Sequence, residues 1–256
     1  MLIDSHCHIN SLDESTRAAL FSRDLAEYCF IDSTIDMETT CNSLSLSQWY
    51  PRLMTAVGFH PLSGEQYNEN TIKEYQDIID QNKKIIAVGE IGIDYKAPIT
   101  LAKQEDIFRN FVALAYRNNL PVVIHNRVDR KMLFEGGTPY ILNVLSEMVT
   151  SYERVMFHCF SFNCKFMDMI VERGGYISFS LNILRGNKDI LDALKNCPAD
   201  NLLLETDSPY MKIQDKPSSP LDIEKVYKLA AEVRGVSLKE LEGAVYENAK
   251  KLFKLS

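Results

Sequence analysis

Leu2-Ile3-Asp4-Ser5-His6-Cys7-His8 opens the chain. Leu2-Ile3-Asp4 reads as a short buried strand. Along a strand residues i and i+2 share a side, so His6 and His8 converge while Cys7 points away. Two neutral imidazoles at a strand end make a seat for a divalent cation. Taken alone, the pair fits a surface strand with two idle histidines equally well.

Seven more apolar, β-branched runs follow, at Cys29–Ile31, Leu53–Val57, Lys84–Val88, Pro121–Ile124, Arg154–Phe157, Gly175–Phe179 and Asn201–Leu204. Such short, nearly continuous runs suit a parallel sheet covered on both faces. Amphipathic segments lie between them. Ser11-Leu12-Asp13-Glu14 and Thr71-Ile72-Lys73-Glu74 fit the capping-box pattern, and Thr100 is a candidate cap for a helix carrying Gln104, Phe108, Phe111 and Leu114. Gly174 and Gly235 stand where helix C-termini are expected. Eight strand-plus-helix units at about 32 residues each predict a (β/α)8 barrel of the TIM type. Ser237-Leu238-Lys239-Glu240 caps one further helix, running to about Phe253 and covering part of the barrel's outside. No linker, repeat or low-complexity tract interrupts the pattern, so residues 1–256 are expected to form one domain.

An apolar fraction of 46% over 256 residues supports a sizeable core, and a net charge of −7 argues against broad electrostatic holding of nucleic acid or anionic membrane. It leaves room for a local positive site made by metal ions. The six cysteines form no C-x-x-C pair and several sit in apolar runs. With no leader and no spanning apolar run, a cytoplasmic or otherwise reducing location is expected, with no membrane association.

Barrel enzymes carry their chemistry at the C-terminal ends of the strands. Those ends hold His6 and His8 (first strand), His60 (third), Glu90 (fourth), His125 (fifth), His158 (sixth) and Asp207 (eighth). All five histidines of the chain thus share one rim, which scattered core or surface histidines do not do. Imidazole with carboxylate suits Zn²⁺, Mn²⁺ or Fe²⁺, and Mg²⁺ where carboxylates and water dominate. Six ligands are too many for one catalytic ion but fit two that share a carboxylate. Glu90 is the natural bridge, flanked by Gly89 and Gly92, which let backbone crowd the site.

With these residues the sequence resembles the TatD family of metal-dependent deoxyribonucleases, within the wider amidohydrolase barrel group, over nearly its whole length. The marks are Asp4-Ser5-His6-Cys7-His8, Gly58-Phe59-His60-Pro61, Gly89-Glu90-Ile91-Gly92-Ile93-Asp94-Tyr95 and Pro121-Val122-Val123-Ile124-His125. Further marks are His158-Cys159-Phe160-Ser161, Tyr176–Ser180, Leu203-Leu204-Glu205-Thr206-Asp207-Ser208-Pro209-Tyr210, and Asn248. The resemblance implies one ion held by His6, His8, Glu90 and Asp207, and a second held by Glu90, His125 and His158. Other amidohydrolase barrels bridge their metals with a modified lysine on the fourth strand, a position Glu90 fills here. Two departures bear on substrate. Met211-Lys212-Ile213-Gln214-Asp215-Lys216-Pro217 replaces the family's usual Arg-Gly segment after Tyr210, and Phe162 stands where a glycine is common.

Two dications offset by Glu90 and Asp207 leave a net positive centre, which attracts a phosphodiester even on an acidic protein. Asp207 is assigned a second role, as general base or orienter of the attacking water, because a carboxylate beside two cations holds no proton at rest. Glu205 reads either as a partner behind the ligands or as a structural carboxylate. Arg127, just past His125, is the candidate phosphate-binding cation, or else a solvated loop arginine. His60 reads as a substrate contact or as a buried, hydrogen-bonded histidine. Lys96, Arg185 and Lys212 are weaker loop candidates. Trp49 and the tyrosines show no interleaving with basic residues, so no stacking platform is legible. The expectation is a metal-dependent hydrolase of DNA phosphodiesters with exonuclease-like access to strand ends, a monomer needing no protein partner. The alternative is a small-molecule deacylase or amide hydrolase using the same two ions. A non-catalytic protein that keeps a metal for stability is the remaining reading.

Overall fold

The computed structural model describes residues 1–128 and 139–255. Its eight parallel strands are β1 (Leu2–Cys7), β2 (Tyr28–Ser33), β3 (Leu53–Val57), β4 (Ile85–Asp94), β5 (Val122–Arg127), β6 (Val155–Phe157), β7 (Tyr176–Phe179) and β8 (Leu202–Leu204). They neighbour one another in chain order, the signature of a (β/α)8 barrel. β1 and β8 are fastened by side chains and loop backbone. Asp4 accepts from the backbone N–H of Thr206 at 2.9 Å and from its hydroxyl at 2.5 Å, and Ser5 Oγ donates to Leu204 O at 2.9 Å. Just beyond, Asp207 N–H donates to His6 O at 3.0 Å and His8 N–H to Ser208 O at 2.7 Å. The chain's first strand and last rim segment are therefore locked together where the histidines and Asp207 must meet.

The helices are α1 (Glu14–Phe21), α2 (Met37–Trp49), α3 (Thr71–Gln81), α4 (Leu101–Arg117), α5 (Tyr140–Met148), α6 (Cys164–Val171), α7 (Lys188–Asn196), α8 (Ile223–Arg234) and α9 (Leu238–Phe253). Thr100 caps α4 through Lys103 N–H, and Ser237 caps α9 through Glu240 N–H, each bond being worth about 1 kcal/mol. Gly235 ends α8 in the left-handed region at φ 66°, as its position predicts.

The two expected capping boxes do not form. The α1 cap is Asp13, whose carboxylate accepts from Thr16 N–H, because Ser11 is drawn into a preceding 3-10 turn. Asn70 precedes α3, and Thr71, its first residue, accepts instead from Asn68 N–H. A hydroxyl inside a polar loop has several donors within reach, and pattern alone does not choose among them.

The apolar strand faces and inner helix faces form one large core, and α9 packs over β8 and β1. Asn248 of α9 donates to Ala199 O and Leu202 O, tying that helix to the start of β8. A second, smaller cluster of Cys7, Ile9, Leu12, Leu20, Phe30 and Leu53 lies beneath α1. Cys7 thus faces away from His6 and His8, as the two-residue period of a strand requires. Beyond the barrel strands a short hairpin, β9 (Lys212–Ile213) with β10 (Lys216–Pro217), occupies the departing segment after Tyr210. No helix among the described residues is long and apolar enough to cross a membrane.

Candidate metal centre

At the C-terminal ends of the strands the side chains of His6, His8, Glu90, His125, His158 and Asp207 converge. Glu90 lies between two groups and offers a different oxygen to each. Its Oε2 is 3.5 Å from both His6 Nε2 and His8 Nε2, while its Oε1 is 2.5 Å from His125 Nδ1 and 2.8 Å from His158 Nε2. Asp207 Oδ1 completes the first group, 3.8 Å from His6 Nε2 and 3.4 Å from His8 Nε2. The two groups touch through the stacked rings of His6 and His158, whose centroids are 4.0 Å apart.

What stands behind each imidazole decides which nitrogen faces inward. The Nδ1–H of His8 donates to the carbonyl of Ser33 at 2.9 Å, and Ser33 Oγ lies 2.9 Å from His6 Nδ1. Asp94 Oδ2 accepts from His125 Nε2–H at 3.1 Å. Glu205, fully buried and accepting from Cys159 N–H at 2.6 Å, lies 3.4 Å from His158 Nδ1. These outer partners turn inward the Nε2 lone pairs of His6, His8 and His158 and the Nδ1 lone pair of His125.

Four imidazole nitrogens and two carboxylates crowd one buried volume, and each of them can serve as a ligand atom once unprotonated. His6 Nε2 and His8 Nε2 are only 3.1 Å apart. Positive charge alone satisfies such a donor set, and nitrogen with carboxylate oxygen is what divalent transition ions prefer. The residues therefore fit a metal centre. His6, His8 and Glu90 already present ligand atoms all within 4.8 Å of one another.

His60 also lines the centre, its Nε2 3.5 Å from Glu90 Oε1. Its Nδ1 accepts from Leu62 N–H at 3.1 Å, so Nε2 carries the proton and is a donor, not a ligand. His60 is buried and hydrogen-bonded, and it borders the cleft.

The local field follows from this packing. Burial, the largest influence on Glu90, raises its carboxyl, but the charges of His158 and His125 and a hydrogen bond from His125 outweigh it and hold Glu90 well below the usual range. Asp207 is also lowered, burial being overcome by a hydrogen bond from His8 and by the charges of His158 and His6. Burial lowers His158 and His125, yet Glu90 overrides it and pushes both up. For His60 burial prevails with the help of His125, bringing it down to about 3, so it is neutral at physiological pH.

The glycines beside Glu90 are needed for close approach. A Cβ on Gly92 would lie 1.8 Å from the carbonyl oxygen of His125, its register partner on β5. Arg127 stands outside the cluster, exposed at the cleft mouth with its guanidinium carbon 5.6 Å from the centre of the Tyr95 ring. The cleft above the cluster encloses about 770 Å³, and both departing residues, Phe162 and Met211, line it. Sequence reading assigns no role to Ser33 or Asp94. Asp94 shared a signal with Glu90, four residues earlier on one strand and hence of the same parity. Ser33 acts partly through its backbone carbonyl and carries no sequence signal.

The family model described as TatD related DNase matches residues 3–254. The chain belongs to the TatD family. A relative from Bacillus subtilis, named "Uncharacterized metal-dependent hydrolase YabD", is 27% identical and aligns over 100% of both chains. A protein of Edwardsiella piscicida named "3'-5' ssDNA/RNA exonuclease TatD" is 29% identical over 86% of each chain. Among solved structures, the TatD homologue YJJV from Escherichia coli superposes with a TM-score of 0.86 at 26% identity, covering 100% of this chain and 98% of that one. The chain is thus a TatD-type metal-dependent hydrolase on a (β/α)8 barrel.

Proposed function

We propose that the protein hydrolyses DNA phosphodiester bonds at strand ends, using two divalent ions, with residues 1–256 acting as one catalytic domain. The division of Glu90, one oxygen toward His6 and His8 and the other toward His125 and His158, carries this reading. His6, His8, Glu90 and Asp207 would hold one ion, and Glu90, His125 and His158 the other. Zn²⁺, Mn²⁺ and Mg²⁺ are the candidates. Such a pair supplies Lewis-acid stabilisation of phosphoryl oxygens and a water acidic enough to attack at neutral pH.

The protein's own groups do the rest. Asp207, ionised because its carboxyl is held low, orients the attacking water and takes up its proton. Neutral His60 offers its Nε2–H to a substrate oxygen without adding charge. Arg127 at the mouth pairs with backbone phosphate outside the scissile bond. The cleft above the cluster, lined by Phe162 and Met211, receives the strand end in this reading. The reading also takes the protein as a monomer of the cytoplasm, in keeping with six free cysteines; light scattering of the purified chain tests the monomer.

The test is a screen of chelator-stripped protein, reloaded with Mg²⁺, Mn²⁺ or Zn²⁺, against DNA and RNA oligonucleotides, phosphomonoesters, and small esters and amides. Metal-dependent shortening of DNA from its ends is expected. Intact oligonucleotides alongside turnover of small esters or amides would replace this reading with the deacylase one. Glu90→Gln should abolish turnover with the fold retained, and full activity in that variant would contradict the bridge.

A further inference from the structure

Directly beside the metal-ligand cluster, the loop after His158 and the first turns of α6 build a second kind of wall. Phe162, Phe166 and Met169 line the same cleft as His158 and Glu90. Phe162 sits four residues past His158, and its ring is clamped by two edge-on contacts. Phe160 is 5.6 Å away at 74°, and Phe166 is 4.8 Å away at 87°. Phe160 and Phe166 are buried at 1% and 5% exposure, whereas Phe162 remains partly open on the cleft side. An aromatic ring fixed by its neighbours and still reachable presents a planar apolar surface at little cost in side-chain entropy.

Three cations line the cleft around this wall: Lys165 and Arg185, with their charged ends in solvent, and Arg127 across the mouth. Arg185 reaches Met211 Sδ at 3.6 Å, which brings its guanidinium to the cleft side. Asp189 is the opposing charge on that rim. An acyl chain would use the apolar wall but has no need of three cations. A nucleotide uses all of it, with its base on the aromatic face, its outer phosphates on the cations and its scissile phosphate at the carboxylate–imidazole cluster.

We propose that Phe162, backed by Phe160 and Phe166, is the stacking platform for the unpaired nucleobase next to the scissile phosphate. This rests on the phosphodiesterase reading above and adds a specificity-determining residue to it. A base can lie on Phe162 only when it is unpaired, so the platform selects single-stranded or frayed ends and tolerates any base identity.

The experiment compares two short single-stranded DNA oligonucleotides with the metal-loaded protein. One is intact. The other carries tetrahydrofuran residues, which lack a base, at its first and last positions, and the first cleavage is timed in each. Stacking predicts that the wild-type protein loses roughly 5- to 150-fold in kcat/KM on the abasic strand. Phe162→Leu keeps apolar bulk but removes the ring face, so the ratio between the two strands should fall toward one, chiefly through KM on the intact strand. Phe162→Trp should preserve the ratio, and thermal midpoints near the parent's verify folding of both variants. Equal cleavage of the two strands by wild type, or an undiminished ratio in Phe162→Leu, overturns the platform while leaving phosphodiester hydrolysis standing. Failure of wild type to cleave either strand overturns the phosphodiesterase reading itself, and the platform with it.

Discussion

Replacing Asp94 with Asn tests whether the groups behind the histidines set the metal centre. The two oxygens of Asp94 have separate duties: Oδ1 accepts from Lys96 N–H at 2.8 Å, and Oδ2 accepts from His125 Nε2–H at 3.1 Å. An amide matches the carboxylate in shape but has only one acceptor. If its oxygen keeps the Lys96 bond, its NH2 meets His125 Nε2, which must surrender its proton. The imidazole then carries that proton on Nδ1, the atom that faces Glu90 Oε1, and loses its inward lone pair. The opposite flip sets NH2 against Lys96 N–H and leaves His125 Nε2–H on a neutral amide oxygen in place of a carboxylate, which makes the imidazole a poorer donor to a metal. Either way His125 is weakened as a ligand, and loss of such an outer partner typically costs 10–100-fold in metal affinity, about 1.4–2.7 kcal/mol. His6 and His8 are held by Ser33 and are not touched. Titration of stripped Asp94→Asn with Mn²⁺ or Zn²⁺ against a chromophoric chelator should therefore show one equivalent weakened and the other as in the parent. Two unchanged equivalents, or two weakened alike, would refute the reasoning.

Three further outcomes follow from the same geometry. Gly92→Ala forces a Cβ into the His125 carbonyl, costing about 3 kcal/mol and lowering the thermal midpoint by roughly 6–12 °C; an unchanged melting curve contradicts the close approach. Burial pushes the Asp32 carboxyl from 3.8 up to about 6, despite hydrogen bonds from Ser43 and Asn10. Between those values the folded chain holds a proton that the unfolded chain has released, so stability from this group falls as pH rises through the window, by about 3 kcal/mol in full. Asp32→Asn lacks that penalty, so in the presence of chelator its gain in midpoint over the parent should grow from about pH 4 to about pH 7, and a constant difference would count against it. Lastly, Glu90 holds protons on His125 and His158 against the opposing effect of burial, and an ion must displace them. Metal affinity should then go on rising with pH above the ordinary imidazole value of about 6.5, with proton release seen calorimetrically in buffers of different ionisation enthalpy; pH-independent binding would exclude histidine ligation.

Much of the fold was legible in order of residues because strand and helix periods are local properties. Each of the eight expected runs overlaps one barrel strand, and β3 matches its expected span of Leu53–Val57 to the residue. Boundaries slipped where long-range pairing extended a strand, as in β4, which continues past Val88 to Asp94 because β5 pairs with it through Arg127. That extension is also why Asp94, though part of a quoted motif, was given no role. The two missed caps, at Ser11 and Thr71, are the same failing at shorter range: a loop hydroxyl chooses its donor by three-dimensional proximity.

By itself, then, the sequence determined the kind of chemistry: five histidines and two carboxylates at strand ends can only gather on one rim once eight βα units close. Only tertiary structure decided how that chemistry is arranged. Which nitrogen each imidazole turns inward depends on Ser33, Asp94 and Glu205, contributed by three different strands or strand ends. Which oxygen of Glu90 meets which pair depends on backbone packed too tightly for any side chain at Gly92. Tautomer and orientation are properties of neighbours across space, and those neighbours are set by barrel closure, not by position along the chain.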